Sequence, residues 1–241
     1  MIAVFFAYTG WFASTYVASE IRQPGRNIPY SVISGSLIVT VIYFLMNVAY
    51  LYAIAPNEMR GVINVGEKAT TALFGTHAAM FLSVVILVSI LGAINSVILT
   101  APRIYYAMAR DGLFFRKAAT IHPTYKTPSY SIILQAVWTC LLAISGSFSQ
   151  LLTYTVVAML CFSIMTGTAI FRLRYSQPNL HRPYKTHGFP WVPAVFILSY
   201  CLILVNIALS RPHEALVGLV IVGLGAPIYF YWARSTDSRE R

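Results

Sequence analysis

The chain has 241 residues, of which 58% are hydrophobic and only 10% charged, and its mean hydropathy is +0.68. A soluble domain carries about 25% charged residues, so a water-soluble globule is excluded and a polytopic membrane protein is expected. The net charge of +10 would suggest nucleic acid in a soluble protein. Here the basic residues sit between apolar runs, where the Lys/Arg bias of cytoplasmic loops accounts for them, and a nucleic-acid partner is excluded.

A spanning helix needs about 20 apolar residues. In chain order the candidates are residues 2–19, 30–54, 78–109, 130–145, 151–171, 191–209 and 215–233. The first is interrupted at Tyr8-Thr9-Gly10, and Trp11 reopens the apolar run. A membrane helix broken at mid-depth leaves backbone N–H and C=O groups that need partners in lipid. In broken-helix transporters the partner is substrate or ion. The other reading is an ordinary span with one glycine, since glycine is common in membrane helices. The third candidate is long enough to tilt or to run past the bilayer, and the fourth is short and expected to extend into its flanks.

Between the second and third spans, residues 65–74 suit a short interfacial helix. Phe114, Phe115, Arg116 and Lys117 stand side by side after the third span, a mix that suits the headgroup layer with basic heads snorkelling. Residues 175–190 hold Pro178, Pro183, Gly188 and Pro190 and read as an irregular loop. Of the 17 basic residues, all but Arg60, Lys68 and Arg211 lie at or after the ends of the odd-numbered spans. That bias puts the N-terminus outside and the C-terminus in the cytoplasm of a cell (plasma) membrane protein.

The seven acidic residues and five histidines all lie in loops or at span edges. No paired carboxylates and no HExxH are present, so the sequence offers no catalytic residues and no enzyme is expected. Cys140, Cys161 and Cys201 lie in apolar segments without metal-ligand spacing, so neither a metal nor a cofactor is expected. A proton relay usually needs an intramembrane acid or histidine. A retinal protein is excluded because all four lysines are in loops. A seven-span receptor fits the topology, although such a protein more often shows an extracellular disulfide. The polar residues within spans are small. Ser89, Gly92 and Ser96 share one helical face with Asn95 adjacent; such stripes let helices pack closely, or they line a cavity. Tyr154, in the fifth span, can reach a cavity or pack with its hydroxyl at the interface.

Three motifs carry a resemblance. They are Phe6-Ala7-Tyr8-Thr9-Gly10-Trp11 with Glu20, Pro24, Arg26-Asn27 and Pro29; Gly92-Ala93-Ile94-Asn95-Ser96 leading to Pro102-Arg103-Ile104-Tyr105-Tyr106-Ala107-Met108-Ala109-Arg110-Asp111-Gly112; and Leu151-Leu152-Thr153-Tyr154 with Arg182-Pro183-Tyr184-Lys185 and Gly188-Phe189-Pro190-Trp191. With these the chain resembles the amino acid–polyamine–organocation transporters, and within them the L-type-like amino acid permeases. The resemblance covers nearly the whole chain.

It implies an all-α fold of twelve spans whose first ten form two inverted five-span repeats, the LeuT-like architecture. This chain resembles spans six to twelve. Residues 1–174 would be the second repeat and residues 175–241 two peripheral spans with a cytoplasmic tail. The chain would then be a fragment whose partner is the missing N-terminal five-span half, and a homodimer is one assembly open to it. The function implied is secondary active transport of amino acids by alternating access, as antiporter or symporter; the alternative is a truncated remnant that does not transport. By resemblance, the carbonyls of Phe6, Ala7 and Thr9 would receive the substrate amino group, and Gly10 would permit the tight backbone. Tyr8, Trp11, Asn95, Ser96 and Tyr154 complete the expected substrate-binding set. Phe6 would also act as a gate, with Glu20 and a basic partner, Arg22, Arg26 or Arg103, closing the cytoplasmic side. No acid lies within a span and no buried Lys or Arg is available for an acidic side chain, so neutral substrates are expected.

Overall fold

The computed structural model describes residues 2–62, 64–180, 182 and 184–240. Every regular element among them is helical: α1 (Ile2–Ala7), α2 (Ala13–Tyr16), a 3₁₀ turn (Ala18–Glu20), α3 (Pro24–Ala53), α4 (Pro56–Met59), α5 (Val65–Phe74), α6 (Thr76–Arg110), a second 3₁₀ turn (Arg116–Ala119), α7 (Ser129–Ser145), α8 (Phe148–Ser176), α9 (Trp191–Ser210) and α10 (Pro212–Glu240). Among the described residues, five helices are long and apolar enough to cross a membrane: α3, α6, α8, α9 and residues Pro212–Phe230 of α10. The chain is therefore an all-helical, multi-pass membrane protein. Two of the seven expected spans differ from that pattern. The first is split into α1 and α2, and α7 is apolar but holds 17 residues. It gains only Ser129 over the expected segment, because Pro128 precedes it and Gly146 follows in extended backbone (φ −164°, ψ 171°).

Local chemistry sets the other helix ends. α3 begins six residues before the expected Tyr30, because Pro24 occupies its first position, where a missing N–H costs nothing and the ring pre-sets φ. α8 begins with a reciprocal cap. The Gln150 N–H donates to the Ser147 hydroxyl at 3.4 Å, and the Ser147 N–H donates to the Gln150 side-chain oxygen at 3.0 Å, so two helix-end donors find partners.

The chain divides into two compact units, residues 1–12 with 102–241, and residues 13–101. In the first, Val156, Val157 and Leu160 of α8 are fully buried with Ile207 of α9 and Ala215 of α10, and Ile2 and Phe5 of α1 pack against them. Within a bilayer, association rests on close packing more than on expulsion of water, and glycine supplies the closeness here. A Cβ on Gly218 of α10 would lie 2.9 Å from Val157, and one on Gly167 of α8 would lie 2.9 Å from Ile197 of α9. Arg211, between α9 and α10, donates to the hydroxyl of Ser149 at 2.8 Å, tying that turn to the start of α8.

The segment between α8 and α9 folds around Arg182. Its guanidinium donates to the carbonyls of Leu173 (3.1 Å), Gln177 (2.7 Å), Pro178 (3.2 Å) and Leu180 (3.0 Å). It thereby adds a second donor to the Leu173 carbonyl, which already accepts from the Gln177 N–H at 3.1 Å, and places a cation at the negative end of the helix dipole. The Arg174 guanidinium lies 3.9 Å from the centroid of the Phe189 ring.

In the second unit α5 lies against α3. Ala69 is buried, and a Cβ on Gly66 would come 3.2 Å from the Tyr50 hydroxyl. Residues 65–74 form the helix expected of them. Lys68 donates to the Glu58 carbonyl at 3.1 Å and pairs with its carboxylate at 3.4 Å, an exposed pair that contributes little.

Candidate functional site

The interruption after α1 runs from Tyr8 to Phe12. The Tyr8 N–H is shared between the carbonyls of Val4 (3.3 Å) and Phe5 (3.2 Å), as in a helix that tightens at its last turn. Thr9 then closes on Phe6 twice. Its N–H donates to the Phe6 carbonyl at 3.0 Å and its hydroxyl donates to the same oxygen at 2.6 Å. Gly10 has φ +102°, a region that a side chain disfavours. A Cβ there would meet nothing within 4 Å, so the backbone angle, not crowding, calls for glycine. The Thr9 carbonyl and both backbone groups of Gly10 have no hydrogen-bond partner among the described residues. In lipid such groups are satisfied only by another segment, water or a ligand.

The side chains at the break are apolar or neutral and accessible. Phe6 is 41% exposed, Tyr8 40% and Trp11 44%, and the Trp11 and Phe12 rings meet edge-on at 5.8 Å. Ala7 closes α1. Tyr154 belongs to the same unit. It is half-buried on α8 directly before the Val156–Leu160 core against which α1 packs, and its carbonyl lies 3.5 Å from where a Gly218 Cβ would be. Its hydroxyl makes no hydrogen bond with a described residue. Arg103 is also in this unit, half-buried near the C-terminal end of α6.

Asn95, Ser96 and Glu20 fall in the other unit. Glu20 is exposed at the end of the 3₁₀ turn, its N–H donating to the Val17 carbonyl at 2.9 Å. On α6 the serine hydroxyls are bonded to their own helix, Ser96 to the Gly92 carbonyl at 3.1 Å and Ser89 to that of Val85 at 2.9 Å, so neither needs an outside partner. Asn95 differs: it is exposed, and its carboxamide has no partner among the described residues. A Cβ on Gly92 would meet nothing within 4 Å.

One hollow of about 510 Å³ opens beside α5, lined by Val62, Asn64, Glu67, Lys68, Thr71 and Ala72. It contains none of the expected site residues. No group of His, Cys, Asp and Glu among the described residues could hold a metal ion. Sequence reasoning missed the anchoring of α1: the Phe5 and Tyr200 rings meet edge-on at 5.4 Å. Nothing local in the sequence marks a contact between residues so far apart.

A family profile described as amino acid permease matches residues 1–224. The chain belongs to the amino acid permease family. Among curated relatives, the serine/threonine exchanger SteT of Bacillus subtilis (strain 168) is 30% identical over 95% of this chain and 53% of its own length. The human cystine/glutamate transporter is 30% identical over 93% of this chain and 44% of its own length. The human large neutral amino acids transporter small subunit 2 is 29% identical over 94% of this chain and 42% of its own length. The permease chain spans about half the length of the curated relatives it matches. Those relatives are transporters and not enzymes, and neither enzyme nor receptor describes this family.

Proposed function

We propose that this permease chain supplies one part of a secondary active transporter that moves amino acids across the plasma membrane by alternating access. The observation that carries the reading is the break after α1. The Thr9 carbonyl and Gly10 have no hydrogen-bond partner among the described residues, in a segment bounded by apolar sequence, which suits the charged backbone ends of an amino acid. In the full reading, the chain is the seven-span C-terminal part of an inverted-repeat fold. Residues 1–174 form the second repeat and residues 175–241 the peripheral part, with the N-terminus outside and the C-terminus in the cytoplasm. Phe6 to Trp11, Asn95, Ser96 and Tyr154 form the substrate set, and Phe6, Glu20 and Arg103 the gates.

The amino group would be received at the carbonyl end of α1, where the helix dipole is negative. The Phe6 carbonyl is already held by Thr9, so an arriving ammonium competes with the Thr9 hydroxyl for it. The carboxylate would be held by a segment outside this chain. One relative is named as a small subunit, so a larger partner subunit suits this chain at least as well as a homodimer.

No acid lies inside the apolar stretches and no Lys or Arg is fully buried in one among the described residues, and an unpaired cationic side chain at mid-membrane would cost at least several kcal/mol. Neutral amino acids with aliphatic or aromatic groups packing on Phe6 and Trp11 are the proposed substrates. The test is saturable uptake in proteoliposomes, with the chain alone and with a five-span N-terminal half from a relative. Flux should require both parts, and leucine, phenylalanine or alanine should compete better than arginine or glutamate. Saturable flux by a monomeric chain alone, or preference for a charged amino acid, would overturn the proposal.

A further inference from the structure

The connection from α8 to α9 carries charge without counter-charge. Arg172, Arg174, Arg182 and Lys185 lie within it or at its edge, and no acidic residue occurs anywhere between Asp111 and Glu214. Loops this basic are often floppy, but here two guanidinium groups are fixed. Arg182 is held by its four carbonyl bonds, and those neutral acceptors leave its charge uncancelled. Arg174 stacks on Phe189, whose ring also lies 5.2 Å from that of Phe171. Stacking uses the face of a guanidinium and leaves its N–H edge for an anion. Lys185 is exposed and makes no hydrogen bond with a described residue. Exposed aromatic side chains flank the cluster: Tyr175 at 79%, Trp191 at 77% and Tyr184 at 43%. Amphipathic rings of this kind settle at headgroup depth.

We propose that this connection is a binding site for the headgroup of an anionic phospholipid, received by Arg174 and Lys185 beside Trp191, with Arg182 holding the loop in shape. The charge complementarity points to a phosphate-bearing lipid. The ring of exposed aromatics points to one already in the bilayer and not to a soluble phosphate. The site goes beyond the transport reading and does not depend on it.

The test is quenching of Trp191 by brominated lipid in vesicles holding the chain, with Trp11, Trp138 and Trp232 replaced by phenylalanine. Each basic group near the membrane surface favours an anionic lipid by about fivefold. Brominated phosphatidylglycerol should therefore quench at a mole fraction at least about fivefold lower than brominated phosphatidylcholine. The preference should shrink in Lys185→Gln, vanish in Arg174→Gln/Lys185→Gln, and vanish in about 1 M salt, where the screening length is about 3 Å. Lys185→Gln removes no described contact, so it stays informative if the double variant fails to fold. Equal quenching by the two lipids in the parent chain would overturn the site. So would a preference left unchanged by Lys185→Gln.

Discussion

Gly218 and Val157 are in contact with no room between them. A Cβ added at Gly218 would stand 2.9 Å from both Cβ and Cγ1 of Val157. Cβ of a valine is fixed to its helix backbone and cannot swing away, and the Tyr154 carbonyl closes the other side at 3.5 Å. Gly218→Ala should therefore push α10 off α8 and cost about 1–3 kcal/mol. Gly167→Ala meets atoms of Ile197, a side chain that can change rotamer, and should cost less. Thermal unfolding of the two variants in one detergent compares them, and a larger loss in Gly167→Ala would contradict the packing described.

Thr9 gives a second prediction. Its hydroxyl occupies the Phe6 carbonyl at 2.6 Å, and Thr9→Val removes that bond while keeping the side-chain shape. If the carbonyl receives the substrate amino group, one fewer competitor should raise affinity by about fivefold, the worth of roughly 1 kcal/mol. Thr9→Ser should behave like the parent. Inhibition constants for leucine in the two-part transporter measure this, and identical constants for the valine and serine variants would remove Phe6 from the site.

Arg182 offers a third. Replacing it by glutamine leaves carbonyls at the end of α8 without their cationic donor. A charged hydrogen bond contributes on the order of 1.5–3 kcal/mol when well formed, less at this half-exposed site. Trypsin should cut after Lys185 at least several-fold faster in Arg182→Gln. Arg182→Lys should fall between, since an ammonium cannot span four acceptors. Equal cutting rates would mean that the loop is held by other contacts.

The charge bias gives a fourth. With Cys140, Cys161 and Cys201 replaced, a membrane-impermeant thiol reagent applied from outside should label a cysteine at Glu67 and miss one at Lys126. The opposite pattern would reverse the orientation.

Glu20 gives a fifth. Glu20 ends the three-residue 3₁₀ turn that follows α2, and as a gate it should have a role beyond solvation. Glu20→Gln should change the transport rate of the two-part protein by several-fold with little change in its thermal stability. Unchanged rate and affinity would leave it a solvated loop acid.

Much of the fold could be read from the sequence because apolar runs in a membrane protein leave few choices. Residues 65–74 became a helix because their length and mixed polarity fit one face against α3. The break was visible at Tyr8-Thr9-Gly10 because glycine marks positive φ, but its continuation through Trp11 and Phe12 was not, since both look like ordinary helix residues. Pro24 looked like part of a loop, whereas its position at a helix start lengthened α3. Arg182 could not be read as a cap, because its acceptors lie as far back as Leu173 and meet it only through the path of the loop. At the candidate site, the residue types of Asn95 and Tyr154 were legible. That their side-chain polar atoms find no partner among the described residues was not, because partnership is decided by helices distant in sequence.

The Phe5–Tyr200 contact has a consequence for motion at the break. Lipid tails are as apolar as the side chains they would replace, so lifting α1 from its neighbours forfeits little hydrophobic energy. What is specific to the contact is the edge-to-face ring geometry, worth about 0.5–1.5 kcal/mol. That is about one to three times the thermal energy, so the Tyr200 ring holds α1 by a margin that a few well-placed contacts elsewhere can outweigh.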